Sequence, residues 1–112
     1  MSSDAAADRG PVLVTVEYRV PPQNQQAFLE AMTLLKQERH RDGAYSWGLH
    51  QDAAIPERFV ETFTLSSWLE HLRQHERVTQ ADRQHQEGII GLLAPGTTPA
   101  VSHLIAPDDY EW

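Results

Sequence analysis

The stretch RFVETFTLSSWLEHLRQHERVT, residues 58–79, changes its apolar period part-way along. In RFVETFTL, Phe59, Phe63 and Leu65 fall on one face beside Glu61, while Val60, Thr62 and Thr64 fall on the other, which is the repeat of a strand. From Ser67 the repeat lengthens. Ser67 with Glu70 makes a capping box, Trp68 begins the apolar pattern, and Trp68, Leu72 and His75 share one helical face. The pattern runs on through Val78, Asp82, His85, Ile89 and Leu92, with a bend predicted near Thr79, where Asp82 offers a second cap.

The same order of strand and then helix occurs upstream. Val12, Val14, Val16, Tyr18 and Val20 alternate with Thr15, Glu17 and Arg19, giving a strand with one apolar and one mixed face. Pro21 and Pro22 end it, since neither can donate a ladder hydrogen bond, and both suit the start of a helix. Phe28, Ala31, Met32 and Leu35 then recur at three and four, and Gly43 supplies a left-handed stop after Arg39, His40 and Arg41 have placed positive charge at the helix C-terminus. AYSWGLHQD alternates Tyr45, Trp47 and Leu49 against its smaller neighbours, and the short AAIPE turn makes it one half of an antiparallel hairpin with RFVETFTL. APGTTP breaks the last helix. AVSHLIA is a final short strand with Val101 and His103 opposite Ser102.

The order is therefore βαββαβ. With right-handed crossovers it predicts an α+β, ferredoxin-like domain, a four-stranded antiparallel sheet with both helices on one face. Leu13, Thr15, Glu17 and Arg19 would then lie on the uncovered face, and a second sheet is its simplest cover, so a homodimer packed sheet to sheet is expected. Residues 10–106 make the domain, between a tail at 1–9 and an acidic tail at 107–112.

Composition narrows the function. The formal net charge is -7 at pH 7 with Lys36 the single lysine, and the arginines are interleaved with acids, so no nucleic-acid surface is expected. Cysteine is absent, which excludes disulfides, thiolate nucleophiles and cysteine-ligated metals and fits a cytoplasmic chain. No apolar run approaches the roughly 20 residues that span a bilayer, and no apolar leader opens the sequence, so neither membrane insertion nor export by a standard signal is expected.

The progression from GPVLVTVEYRV through RDGAYSWGLHQD and ERFVETF to SWLEHLRQHERVT resembles the dimeric α/β barrel superfamily that includes the antibiotic biosynthesis monooxygenases. It looks even more like the soluble segment after the last membrane helix of major facilitator exporters of the transmembrane secretion effector group. The resemblance covers residues 10–106, and RFVETF with SWLEHLRQHERVT is its most specific part. It implies the fold and the dimer. Relatives on this scaffold oxidise aromatic polyketides without a cofactor, degrade haem or isomerise small molecules, so activity must be argued from the site.

Three of the six histidines, His71, His75 and His85, fall in one helical stretch. His71 and His75 have the i, i+4 spacing of zinc helices, but Leu72 stands where a zinc protease helix needs glutamate. Haem-degrading relatives use an Asn, Trp and His set, and the first strand offers no asparagine. Oxygenation that needs no cofactor is the leading enzymatic reading: His75 or His71 would be the base, and Trp47, Trp68, Phe59 and Phe63 would wall an aromatic ligand. Tyr18 or Arg19 would hold an enolate or phenolate oxygen, with Glu61 and His85 completing the binding set. Glu61 between two phenylalanines must be paired or protonated, and Arg19, Arg58 or a histidine are the partners expected for it or for Glu17. Two alternatives stand beside the enzyme. The aromatic residues are plain core and the histidines a polar seam hydrogen-bonded to Glu61, Glu70 or backbone; or the domain is a non-catalytic ligand-binding or regulatory module.

Overall fold

The computed structural model describes residues 9–107 except 77, with the backbone alone described at 74–76. Four strands, β1 (Val12–Arg19), β2 (Ser46–Gln51), β3 (Arg58–Leu65) and β4 (Ala100–Ile105), form one antiparallel sheet in the order β2-β3-β1-β4. Helix α1 (Gln25–Arg41) follows β1 through a short 3-10 turn, Pro22–Asn24, and α2 (Trp68–Glu76) and α3 (Gln80–Ile90) lie between β3 and β4. This is the α+β ferredoxin-like arrangement. Among the described residues no helix is long and apolar enough to cross a membrane.

Strand register decides which residues meet the helices. Val14 pairs with Phe63 and His103, and Val16 pairs with Glu61 and Val101, so these six side chains share the covered face. Phe28, Met32 and Leu35 of α1 are fully buried against it, and the Phe28 ring lies 5.2 Å from both Tyr18 and Phe59. Gly43 has φ 117°, as its role as a helix stop requires, and a side chain there would strike the Glu70 carboxylate.

The predicted bend is a break. Thr79 accepts a hydrogen bond from the Asp82 amide, and the Asp82 carboxylate accepts one from the Thr79 amide, so a complete capping box starts α3. The uncovered face carries Leu13, Thr15, Glu17 and Arg19, as the alternation of β1 requires. Tyr45 departs from its expected place beside Trp47. It precedes β2, its amide donates to Thr64 O, and its exposed ring borders a shallow apolar groove on the uncovered face with Leu13, Leu104 and Pro107.

Candidate functional site

Register places Glu61 in the middle of the covered face, between Val16 and Leu49, where its side chain has no solvent exposure. A carboxylate there must exchange its lost hydration for donors. Four are supplied. Tyr18 Oη donates to Oε1 at 2.9 Å and Trp47 Nε1 to Oε2 at 2.9 Å, while Arg39 gives Nε to Oε2 at 3.0 Å and Nη2 to Oε1 at 3.3 Å. Arg39 also lies 4.5 Å over the Phe63 ring. Burial, reinforced by the Glu61 charge, pushes the Tyr18 hydroxyl far above the ordinary tyrosine range, so Tyr18 stays a donor.

The partner of Glu61 is therefore Arg39 of α1, and the expected pairing with Arg19, Arg58 or a histidine is corrected. Arg19 and Arg58 alternate to the opposite face of the sheet. There they hold Glu17, with Arg58 Nε donating to Glu17 Oε1 at 2.7 Å and Arg19 Nη2 3.4 Å from the same oxygen.

In front of the clamp, between sheet and helices, lies a cavity of about 230 Å³. Val14, Val16, Phe63 and Val101 give it an apolar floor, His71 and His103 close one end, and Glu38, Arg39, Asp82 and Gln86 line the helix side. A second cavity of about 140 Å³ shares Val16, Arg39, Gln86 and Val101 with it and reaches Tyr18 and Ile89. His71 is buried, its ring 4.4 Å from that of His103 and 4.9 Å from that of Trp68. Imidazoles against an apolar floor, with a guanidinium held beside them, can exchange a proton with a bound molecule and face a developing oxyanion.

The α1–α3 seam forms the far wall. Arg41 donates to Asp82 Oδ2 at 2.8 Å and to Asp42 Oδ2 at 2.9 Å. Arg41 first, then the Thr79 amide, hold the Asp82 carboxyl well below the usual carboxylate range. Glu38 behaves oppositely: burial pushes its carboxyl up, against the pull of His85, whose Nδ1 is 3.1 Å from Glu38 Oε1. His85 faces an outer groove with Leu34, Gln37, Glu38 and Arg41.

A sequence profile described as transmembrane secretion effector matches residues 1–110. The chain belongs to the transmembrane secretion effector family. Solved structures add the fold of this family member. A candidate antibiotic biosynthesis monooxygenase of Caulobacter crescentus CB15 superposes with a TM-score of 0.74 at 13% identity, covering 95% of this chain and 98% of that one. Rv0793 of Mycobacterium tuberculosis gives 0.69 at 20% identity, covering 90% and 98%. A further candidate antibiotic biosynthesis monooxygenase, from Nitrosomonas europaea, gives 0.67 at 18% identity, covering 91% and 93%. At such identities the likeness carries fold alone. No curated protein matches the sequence.

Of the residues singled out from the sequence of this secretion-effector domain, His71 and Phe63 line the larger cavity and Tyr18 the smaller. Trp68 packs on the histidine pair. Four others serve elsewhere: Phe59 is core beneath Phe28, Trp47 and Glu61 stand in the clamp behind Arg39, and His85 sits on the outer groove. Arg19, on the opposite face, cannot join the cavity. The His75 side chain lies outside the described residues, so its proposed role as base has no geometry here. Among the described residues no group of three His, Asp, Glu or Cys side chains is placed to hold a metal ion.

Of the cavity residues that were not singled out as site residues, three had a signal in the sequence. His103 shares the covered face of β4 with Val101, with Ser102 on the other face between them. Arg39 lies four residues after Leu35 and Glu38 three after it, which puts both beside the buried stripe of α1.

Proposed function

We propose that two copies of this chain pair through their uncovered sheet faces in the cytoplasm, and that each binds a small aromatic or polyketide-like molecule and oxidises it with dioxygen, without a cofactor. The observation that carries this reading is the cavity that brings the buried His71 together with the more exposed His103 and with Phe63 and Arg39. His71 takes a proton from an activated CH₂ of the bound molecule, and Arg39, held in place by Glu61, faces the enolate oxygen that develops. The carbanion adds dioxygen to give a hydroperoxide, which loses water: R₂CH₂ + O₂ → R₂C=O + H₂O. The apolar floor limits quenching of the carbanion by solvent.

Oxygen uptake with a panel of anthrones and hydroquinones tests the reaction. His71→Ala is expected to lower uptake by a factor of about 10² to 10⁴, the usual contribution of a general base. His75→Ala, made in parallel, tells which histidine is the base. Turnover unchanged in both variants would remove His71 and His75 from the mechanism. For the dimer, sedimentation at micromolar concentration should show a two-chain species that Leu104→Asp converts to one chain. Leu104 pairs with Leu13 at the centre of the apolar groove on the uncovered face.

The family match favours a second reading, a non-catalytic module that binds the same class of ligand beside an exporter. Saturable binding of an anthrone, with no oxygen consumed, would select it.

A further inference from the structure

We infer that Glu38 is a second proton-transfer group of the cavity and that His85 links it to the outer groove. Glu38 lines both the larger cavity and the outer groove, and His85 lines the groove. The side chains of both are 19% exposed. Glu38 Oε1 meets His85 Nδ1 at 3.1 Å, while Glu38 Oε2 and His85 Nε2 are buried with no hydrogen-bond partner among the described residues. A buried carboxyl oxygen left over on one side and a ring nitrogen left over on the other are the two ends of a relay. Imidazole suits its middle, because it can accept a proton at one nitrogen and release one from the other.

Neighbouring charges select Glu38 over the other acids. Its own helix presents Arg39 and Arg41 and ends on Asp42, α3 presents Asp82, His85 and Gln86, and His71 and His103 line the cavity opposite. Burial favours the protonated form of Glu38 against the pull of His85, and the negative charge of Asp82, which Arg41 holds ionised, adds to it. Glu38 is thus suited to act as an acid where His71 acts as a base, two titratable groups in one cavity pushed toward different tasks.

The role in the reaction rests on the oxygenation reading. In the last step the hydroperoxide R₂CH–OOH loses its C–H proton to His71 and its O–O bond breaks as C=O forms. Glu38 gives its proton to the departing hydroxide, which leaves as water, and is reprotonated through His85.

The test follows Glu38 directly in the full chain, by carbon NMR with glutamate labelled at Cδ, the Glu38 resonance being the one absent from Glu38→Gln. The midpoint is expected above the ordinary glutamate value of about 4.3, and His85→Asn, in which Glu38 is intact, should move it. A midpoint at the ordinary value, or one that His85→Asn leaves in place, overturns the relay. Adding 4-nitrophenol, whose binding is read by its own absorbance, should shift the Glu38 midpoint further. Failure of 4-nitrophenol to bind counts against the ligand reading, and the two previous measurements still decide the relay. Bound 4-nitrophenol with an unmoved midpoint overturns the contact between Glu38 and the cavity ligand. On a substrate that consumes oxygen, Glu38→Gln should lower kcat at least tenfold with little change in KM. Added imidazole should restore the rate lost in His85→Asn, which a merely structural histidine would not allow.

Discussion

Glu17 and Glu61 occupy neighbouring rows of one sheet, since Glu17 pairs with Val60 and Glu61 with Val16, yet they point to opposite faces. Each meets an arginine. Glu61 has no exposure and four donors from Tyr18, Trp47 and Arg39. Glu17 keeps 31% of its side chain in solvent and Arg58 keeps 34%, with Arg19 and Asp52 alongside. The same two functional groups at similar distances therefore carry different energies, because water screens and competes for one pair and is excluded from the other. Nor can either pair be moved to the other face by a small shift, because a one-residue slip of register would turn every side chain over.

The strongest test of this contrast removes the buried carboxylate. Glu61→Ala strands the Arg39 guanidinium, the Tyr18 hydroxyl and the Trp47 indole N–H together, and the expected cost is about 3–5 kcal/mol, read by chemical denaturation. It should also loosen Arg39 over Phe63, so the variant is expected to lose ligand binding in the cavity beyond its loss of stability. A loss below about 1 kcal/mol would mean that the clamp holds little of the fold.

A smaller effect is expected at the α1–α3 seam. Thr79→Ala removes the hydroxyl that accepts from the Asp82 amide and should cost about 1 kcal/mol. The pH dependence has a definite sign. Asp82 is held below its ordinary value, so its stabilisation is present above the unfolded carboxyl value of about 3.9 and is lost as pH falls below it. Asp82→Asn should flatten that acid limb of a denaturation-midpoint profile measured from pH 5 to 2. Glu38 contributes oppositely, since its carboxyl is raised: its favourable contribution is present at low pH and is lost as pH rises.

The framework was legible in the sequence because it rests on local rules. Alternation in VLVTVEYRV and RFVETFTL fixed which face each strand residue takes, and Ser67 and Thr79 marked two helix starts through their own side chains. Tyr45 escaped because it lies one residue before β2, where alternation no longer governs. The cavity was less legible, since it depends on contacts between elements far apart in sequence. That Arg39 reaches Glu61 across 22 positions, and that His71 meets His103, follows from how α1 and α2 dock on the sheet. The residue types drew attention to His71, while Arg39 at a helix C-terminus had a sufficient local explanation in the helix dipole, which hid its second role.

The finest test lies on the uncovered face. Glu17 is held below its ordinary value chiefly by its hydrogen bond to Arg58, which partial burial opposes. The partners are accessible, and Arg58 keeps a second acceptor in Asp52 at 3.0 Å, so Glu17→Ala leaves no charge stranded. An isolated chain should lose at most about 1 kcal/mol, with the difference from the parent shrinking as salt is raised. If the uncovered faces meet in a dimer, the same substitution measured there should cost more, because the second sheet would shield the pair from water. The cost of Glu17→Ala in the parent, set against its cost in the single-chain Leu104→Asp background, thus reports whether this face is wet or dry. Equal costs in the two backgrounds would place Glu17 in water and the interface elsewhere.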